Sequence, residues 1–186
     1  MGKLIYSMSV SLDGFIVGPD GEFDWTAPDE ELHRFHNERV RQLGGHILGR
    51  HLYETMLVWD TVDEESSVSD YEVEFARLWQ NLPKFVFSTT LESVEGANTT
   101  LLTGDVAREV GRLKSQIGGD LGVGGARLAA VCIEQNLIDE YGLFTHPTIV
   151  GGGIGFFPTH HQRIDLELVE TRTFGGRVVY LRYQRP

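Results

Sequence analysis

Apolar and polar positions alternate along the first dozen residues. Leu4, Tyr6, Met8, Val10 and Leu12 share one side of an extended chain, and Ile5, Ser7, Ser9 and Ser11 share the other. The pattern predicts a strand over Lys3 to Leu12 with one polar face. Asp13-Gly14 breaks it, Phe15 to Val17 resumes extended structure, and Gly18-Pro19-Asp20-Gly21 is a dense turn signal. The period then becomes helical. Pro28 and the acids Asp29, Glu30 and Glu31 suit a first turn, with Thr26 or a neighbour as cap. Leu32, Phe35, His36, Val40 and Leu43 keep the helical spacing until Gly44-Gly45 is expected to stop it. His46 to Leu48 reads as a short buried strand closed by Gly49, with a helix starting near Arg50.

From Asp60 to Glu74 the chain carries seven acids and no lysine or arginine, the pattern of a solvated loop running into a helix through Phe75 to Trp79. Lys84 to Ser88 and Thr99 to Leu102 read as strands, and Asp105 to Ile117 as a helix. A short apolar strand then ends in Gly124-Gly125, and a helix follows with Leu128, Val131, Cys132 and Gln135 on one side and Asn136 as a left-handed cap. Tyr141 to Ile149 forms the next strand. Two long strands, Ile164 to Phe174 and Arg177 to Tyr183, close the chain around Gly175-Gly176 as a hairpin. Strands alternating with helices and then a hairpin predict an α/β fold with a mixed, largely parallel sheet. The strand order stays open.

Composition narrows the class. A chain of 186 residues that is 41% hydrophobic and 23% charged fits one domain, residues 1–186, with a real core. A formal net charge of -11 disfavours nucleic acid and anionic membranes as partners, since both need a basic footprint. One cysteine, Cys132, permits a reducing compartment and is expected to be a core thiol. Leu4 to Tyr6 is too short for the apolar part of a secretory signal, and the expected location is cytoplasmic.

Candidate chemistry centres on the glycines. Where a strand hands over to a helix, Gly124-Gly125 lets backbone N–H groups approach an anion, and the helix dipole favours negative charge there. Arg127 stands just inside that helix, where a guanidinium can fork onto phosphate. A second cluster, Gly151-Gly152-Gly153 with Gly155, follows the strand that carries His146-Pro147, so two strand ends deliver pliant backbone to one place. This is not a Rossmann fingerprint, because GVGGAR lacks the third glycine, and no Walker lysine follows. The acidic run is contiguous and lacks histidine, so no metal site is expected.

Four motifs in order resemble the dihydrofolate reductase superfamily, and within it the reductase domain of riboflavin biosynthesis and its stand-alone bacterial relatives. They are MSVSLDGFIV with Ser11-Leu12-Asp13-Gly14, Trp25-Thr26-Ala27-Pro28, Ile47-Leu48-Gly49-Arg50-His51-Leu52-Tyr53-Glu54-Thr55, and Val123-Gly124-Gly125-Ala126-Arg127. The resemblance implies the three-layer dihydrofolate reductase-like fold, an NADPH-dependent oxidoreductase and a homodimer. It assigns Gly49, Arg50 and His51 to cofactor phosphate, Ser88, Thr89 and Thr90 to the adenosine end, and Gly124, Gly125, Ala126 and Arg127 to the pyrophosphate. Asp13 and Glu30 become the candidates to orient or protonate a small heterocyclic substrate, pteridine- or pyrimidine-like, if burial raises the carboxyl pKa. Trp25, Gly153 and Phe156 are the candidates on the substrate side. Val123 departs from the riboflavin reductases, which usually carry an acid before the glycine pair. The rival reading is a non-catalytic nucleotide- or flavin-binding protein on the same fold.

Overall fold

The first alternating segment becomes an inner strand of an eight-stranded sheet in a computed structural model that describes residues 2–159 and 163–186. The strands are β1 (Leu4–Ser11), β2 (Phe15–Val17), β3 (Leu43–Gly49), β4 (Lys84–Phe87), β5 (Thr99–Leu102), β6 (Asp120–Gly124), β7 (Glu140–His146), β8 (Ile154–Gly155), β9 (Glu167–Phe174) and β10 (Val178–Gln184). The helices are α1 (Glu30–Arg41), α2 (Arg50–Met56), α3 (Asp70–Asn81), α4 (Val106–Gln116) and α5 (Ala126–Glu134). Sheet order is β5-β4-β3-β6-β1-β7-β10-β9, and β2 pairs separately with β8. Strands β5 to β7 in that order run parallel, while β10 is antiparallel to both β7 and β9.

Register decides which side chain meets which layer. Pairing of Tyr6 with Val123 and Tyr141 places Leu4, Tyr6, Ile47, Leu121 and Val123 in one core with Val110, Leu113, Leu128, Ala129, Cys132 and Ile133 of α4 and α5. On the opposite face Leu48 and Val86 meet Phe75 and Trp79 of α3, and Phe144 and Tyr180 meet Leu32 and Phe35 of α1. Each large apolar side chain removed from water there contributes about 2 kcal/mol, so two separate covers are strongly favoured. The result is helix, sheet, helix.

Several boundaries differ from the sequence reading. Gly44 and Gly45 do not stop α1; they lie inside β3, where a Cβ on Gly44 would stand 2.7 Å from the carbonyl oxygen of Gly118. Close packing, not helix termination, demands them. Asp29 rather than Thr26 caps α1, accepting from Leu32 N at 2.9 Å. Leu12 falls outside β1 and is exposed, β7 ends at His146 rather than Ile149, and β9 begins at Glu167 rather than Ile164. On α5 the buried side is Leu128, Ala129, Cys132 and Ile133, while Gln135 is exposed. Asn136 does adopt the left-handed conformation, at φ 58. On the serine face of β1, Ser7 and Ser9 are half-buried and line a half-enclosed cavity, while Ser11 is buried.

Candidate active site

Crossover helices α1 to α3 lie on one face of the sheet and α4 and α5 on the other, so loops part at the carboxyl ends of β3, β6 and β1, where open α/β sheets hold ligands. There β3 and β6 almost touch. Gly125 caps α5 at φ 96, a conformation that a side chain resists, and its Cβ would stand 3.3 Å from both Gly49 Cα and Gly49 N. Ala126 begins α5 and Arg127 is exposed one residue inside it, with no ion-pair partner among the described residues. Arg50 leaves the end of β3, donates to Glu54 Oε1 at 2.7 Å and reaches Thr90 Oγ1 at 2.9 Å. Ser88 Oγ accepts from Thr90 N at 3.2 Å and from Leu91 N at 3.1 Å, which shapes the loop after β4. Thr89 and His51 are exposed on the same rim, His51 beside Glu54 at 3.7 Å. Three strand ends thus present glycine backbone, two guanidinium groups and hydroxyls together, a donor set that fits a dinucleotide bearing phosphates.

A cavity of about 360 Å³ runs along the sheet face under α1, α2 and α3, from Lys3, Asp120 and Glu140 at the amino ends of β1, β6 and β7 up to Ser9 and Leu52, and reaches the glycine end at Leu52. Among its lining residues are Ser7, Ser9, His36, His46, Leu52 and Phe144, held by β1, α1, β3, α2 and β7. A Cβ on Gly124 would stand 2.3 Å from Leu52 Cδ2 and 3.3 Å from His46 Cε1, so the missing side chain lets those two residues close over the end of β6. Cradle and cavity share that wall. Burial pushes the His46 pKa down to about 4, and burial with the nearby His33, His146 and Arg39 pushes His36 down to about 3. Both are neutral at neutral pH, so the cavity carries no imidazolium charge from them.

The two candidate acids sit differently from the expectation of a buried, protonated carboxyl. Asp13 is exposed and accepts from Ser11 Oγ at 2.6 Å, Gly151 N at 2.8 Å and Val150 N at 3.2 Å. The Ser11 hydroxyl, followed by the two backbone amides, holds its pKa below the ordinary value despite some desolvation. An acid stabilised in its ionised form here clamps β1 to the glycine loop after β7. Glu30 is exposed and takes Arg34 Nε at 2.9 Å, while Arg34 also reaches Asp70 at 3.0 Å. This ion pair replaces the buried carboxylate expected there.

On the substrate side, Phe156 is buried, stacked on Tyr6 with centroids 4.3 Å apart, and its carbonyl accepts from the Tyr6 hydroxyl at 3.1 Å. It belongs to the core with α4 and α5, a correction to its candidacy for stacking on a ring. Gly153, at φ 112, would place a Cβ 2.1 Å from the carbonyl oxygen of Val17, so it allows the glycine loop to close against β2. Trp25 lines a second cavity of about 270 Å³ with Asp29, His146 and Arg177, and its ring stands edge-on to His146 at 5.7 Å. Ser9, His36 and His146 escaped the sequence reading as site residues. The signal was available in the serine alternation of β1, which places Ser9 on the same face as His146 once β1 pairs with β7.

Comparison with known proteins gives a consistent assignment of fold. The chain is 32% identical over 182 residues to the uncharacterized protein YyaP of Bacillus subtilis (strain 168), covering 97% of this chain and 94% of that one. It is 28% identical to the uncharacterized protein YwjB of the same organism, over 98% of each. A putative riboflavin biosynthesis protein from Shewanella sp. PV-4 superposes with a TM-score of 0.78 at 20% identity, covering 100% of this chain and 99% of that one. The chain spans 57% of a diaminohydroxyphosphoribosylaminopyrimidine deaminase/5-amino-6-(5-phosphoribosylamino)uracil reductase from Thermotoga maritima, with a TM-score of 0.68 at 16% identity. A dihydrofolate reductase from Enterococcus faecalis complexed with NADP(H) superposes at 0.63 with 16% identity, over 99% of this chain and 96% of that one. Residues 2–180 match the RibD C-terminal domain, and the chain belongs to that family.

Proposed function

We propose that this protein is an NADPH-dependent reductase acting on a C=N or C=O bond of a small pteridine- or pyrimidine-like heterocycle, in the cytoplasm and as a homodimer. The observation that carries the reading is the shared wall: the Gly124-Gly125 turn packs against Leu52 and His46, and both of these side chains also line the half-enclosed cavity. A phosphate-bearing cofactor beside a cavity of about 360 Å³ is the layout that a two-substrate reduction needs. Family membership and structural neighbours named as a uracil-type reductase and a dihydrofolate reductase support it.

Each residue has a definable task. Backbone amides at Gly125 and Ala126, with Arg127, suit the pyrophosphate; Arg50 and His51 supply charge for the additional phosphate that separates NADPH from NADH; Ser88, Thr89 and Thr90 border the adenosine end. Bound there, the cofactor supplies hydride. Leu52, Met56 and Phe144 give the adjoining cavity an apolar wall, and Ser7 and Ser9 offer hydroxyls to the heteroatoms of a flat ring. Asp13 keeps the loop after β7 in place from outside the cavity.

The test is NADPH oxidation with a panel of pterins, deaminated ribosylaminopyrimidines and flavins. Turnover with a pterin or a ribosylaminopyrimidine is the expected result. NADPH binding without turnover on any of them would establish the non-catalytic nucleotide binder instead.

A further inference from the structure

One hydrogen-bonded pair separates two cavities. The larger is lined by Ser9, and the smaller, of about 270 Å³, by His146. Ser9 Oγ and His146 Nε2 are 3.2 Å apart, across the β1–β7 ladder in which Ser9 faces Phe144 and Ser11 faces His146. His146 is only 3% exposed, and its Nδ1 makes no hydrogen bond with any described residue. Trp25 lines the same small cavity, and its indole Nε1–H is buried without a partner. One buried donor without a partner, Trp25 Nε1, and one unbonded ring nitrogen, His146 Nδ1, border a polar cavity of the kind that holds water, and Asp24, Asp29 and Arg177 on its wall are exposed, open to exchange with solvent.

We propose that Ser9 and His146 form a proton relay from the smaller cavity to the substrate in the larger one, with Ser9 the catalytic residue and His146 the positioning residue that recharges it. The inference rests on the reductase reading above. With hydride from the reduced nicotinamide on the substrate carbon, the adjoining heteroatom needs one proton. Ser9 gives its hydroxyl proton to that heteroatom and takes the Nε2 proton of His146 in the same event. His146 Nδ1 accepts a proton from water of the small cavity, the hydroxide so formed is neutralised by bulk solvent, and loss of the Nδ1 proton with reprotonation at Nε2 restores the starting tautomer. One proton is consumed, and no charge stays on either side chain.

The surroundings suit a neutral relay. Burial first, then Arg177, lowers the His146 pKa, which leaves the ring with one N–H and one lone pair. His36 from α1, itself kept neutral, is the nearby titratable neighbour on the other side, and Asp29 borders the small cavity from the α1 cap. Neither Asp13, held ionised, nor Glu30, paired with Arg34, competes for the role.

The test combines a spectrum with kinetics. Nitrogen NMR, with the His146 signal assigned by its loss in His146→Gln, should find the Nε2–H tautomer at neutral pH and lose that preference in Ser9→Ala. On whichever probe of the panel turns over, Ser9→Ala should lower turnover by about a hundredfold or more and enlarge the solvent deuterium isotope effect, with NADPH affinity unchanged. Ser9→Thr, which keeps the hydroxyl, should recover most of the loss. An Nδ1–H tautomer, or undiminished turnover in Ser9→Ala, overturns the relay alone. Absence of turnover by the wild-type protein on every probe overturns the reductase reading and the relay with it.

Discussion

In the proposed reading, Arg50 is the side chain on which cofactor choice turns. Its guanidinium already spends one donor on Glu54 and one on Thr90, which aims it across the rim between β3 and β4. Charge-assisted hydrogen bonds contribute about 1.5–3 kcal/mol each, so Arg50→Ala should weaken NADPH by roughly tenfold or more and NADH far less. Fluorescence titration with both cofactors decides it; equal losses would mean that Arg50 serves the local fold rather than the additional phosphate. His36 and His46 predict a pH dependence. Unfolded, each takes a proton near the ordinary imidazole pKa of about 6.5; folded, they resist protonation down to about 3 and about 4. Their contribution is therefore full above pH 6.5 and is lost as pH falls from there toward 4, at most about 4 kcal/mol for the pair by about pH 5, and less because both rings are half-buried. The lowered carboxylates Asp70, Glu72 and Glu74 act in the same direction but in a lower window. Urea midpoints that stay flat between about pH 7.5 and pH 5 would contradict this. At this scale the motifs brought Arg50, Arg127 and the glycines to notice. They did not reveal that Asp13 and Glu30 are exposed or that Phe156 is core, because the contacts that set these environments come from distant segments, the loop amide on Asp13 from more than a hundred residues away.

Elements were legible where the period was long and the caps were local. The spacing of α1, the strand alternation of β1 and the left-handed Asn136 all follow from nearby residues. Gly44 and Gly45 misled because their reason is tertiary: β3 passes against Gly118 and Ile117 at the end of α4. The acidic run hid a helix start. Ser69 and Glu72 form a capping box, with Ser69 N donating to Glu72 Oε2 at 2.9 Å, and this sets α3 at Asp70. Ser69→Ala should cost about 1 kcal/mol of stability in urea unfolding and leave cofactor affinity unchanged. A loss near zero would show that Phe75 and Trp79, packed against β3 and β4, hold α3 without its cap. At the other end of α3, Lys84 is buried and its Nζ donates to Trp79 O at 2.7 Å and Leu82 O at 3.2 Å, an arrangement with no local signature beyond a lysine opening a strand.

For the whole molecule, class was readable and topology was not. Alternating strands and helices predict a largely parallel sheet, but insertion of β6 between β3 and β1 is a pairing across many residues that no local pattern encodes. The larger cavity, lined by residues of β1, β3 and β6, follows from that insertion and was equally invisible. The proposed homodimer belongs to this scale too. Strand β9 forms one edge of the sheet with Leu168 54% and Val169 40% exposed, a surface that a second copy would cover. Sedimentation at tens of micromolar should find a dimer, and a monomer there would remove that part of the proposal. The central claim is that hydride passes from a cofactor on the Gly49–Gly125 cradle to a substrate in the adjoining cavity. Its most direct measurement uses NADPH deuterated at the reactive nicotinamide carbon with whichever heterocycle of the panel is consumed, followed by mass spectrometry of the product. One deuterium on product carbon, lost when unlabelled NADPH is used, is the predicted result; a product without deuterium from either face of the ring would contradict the account.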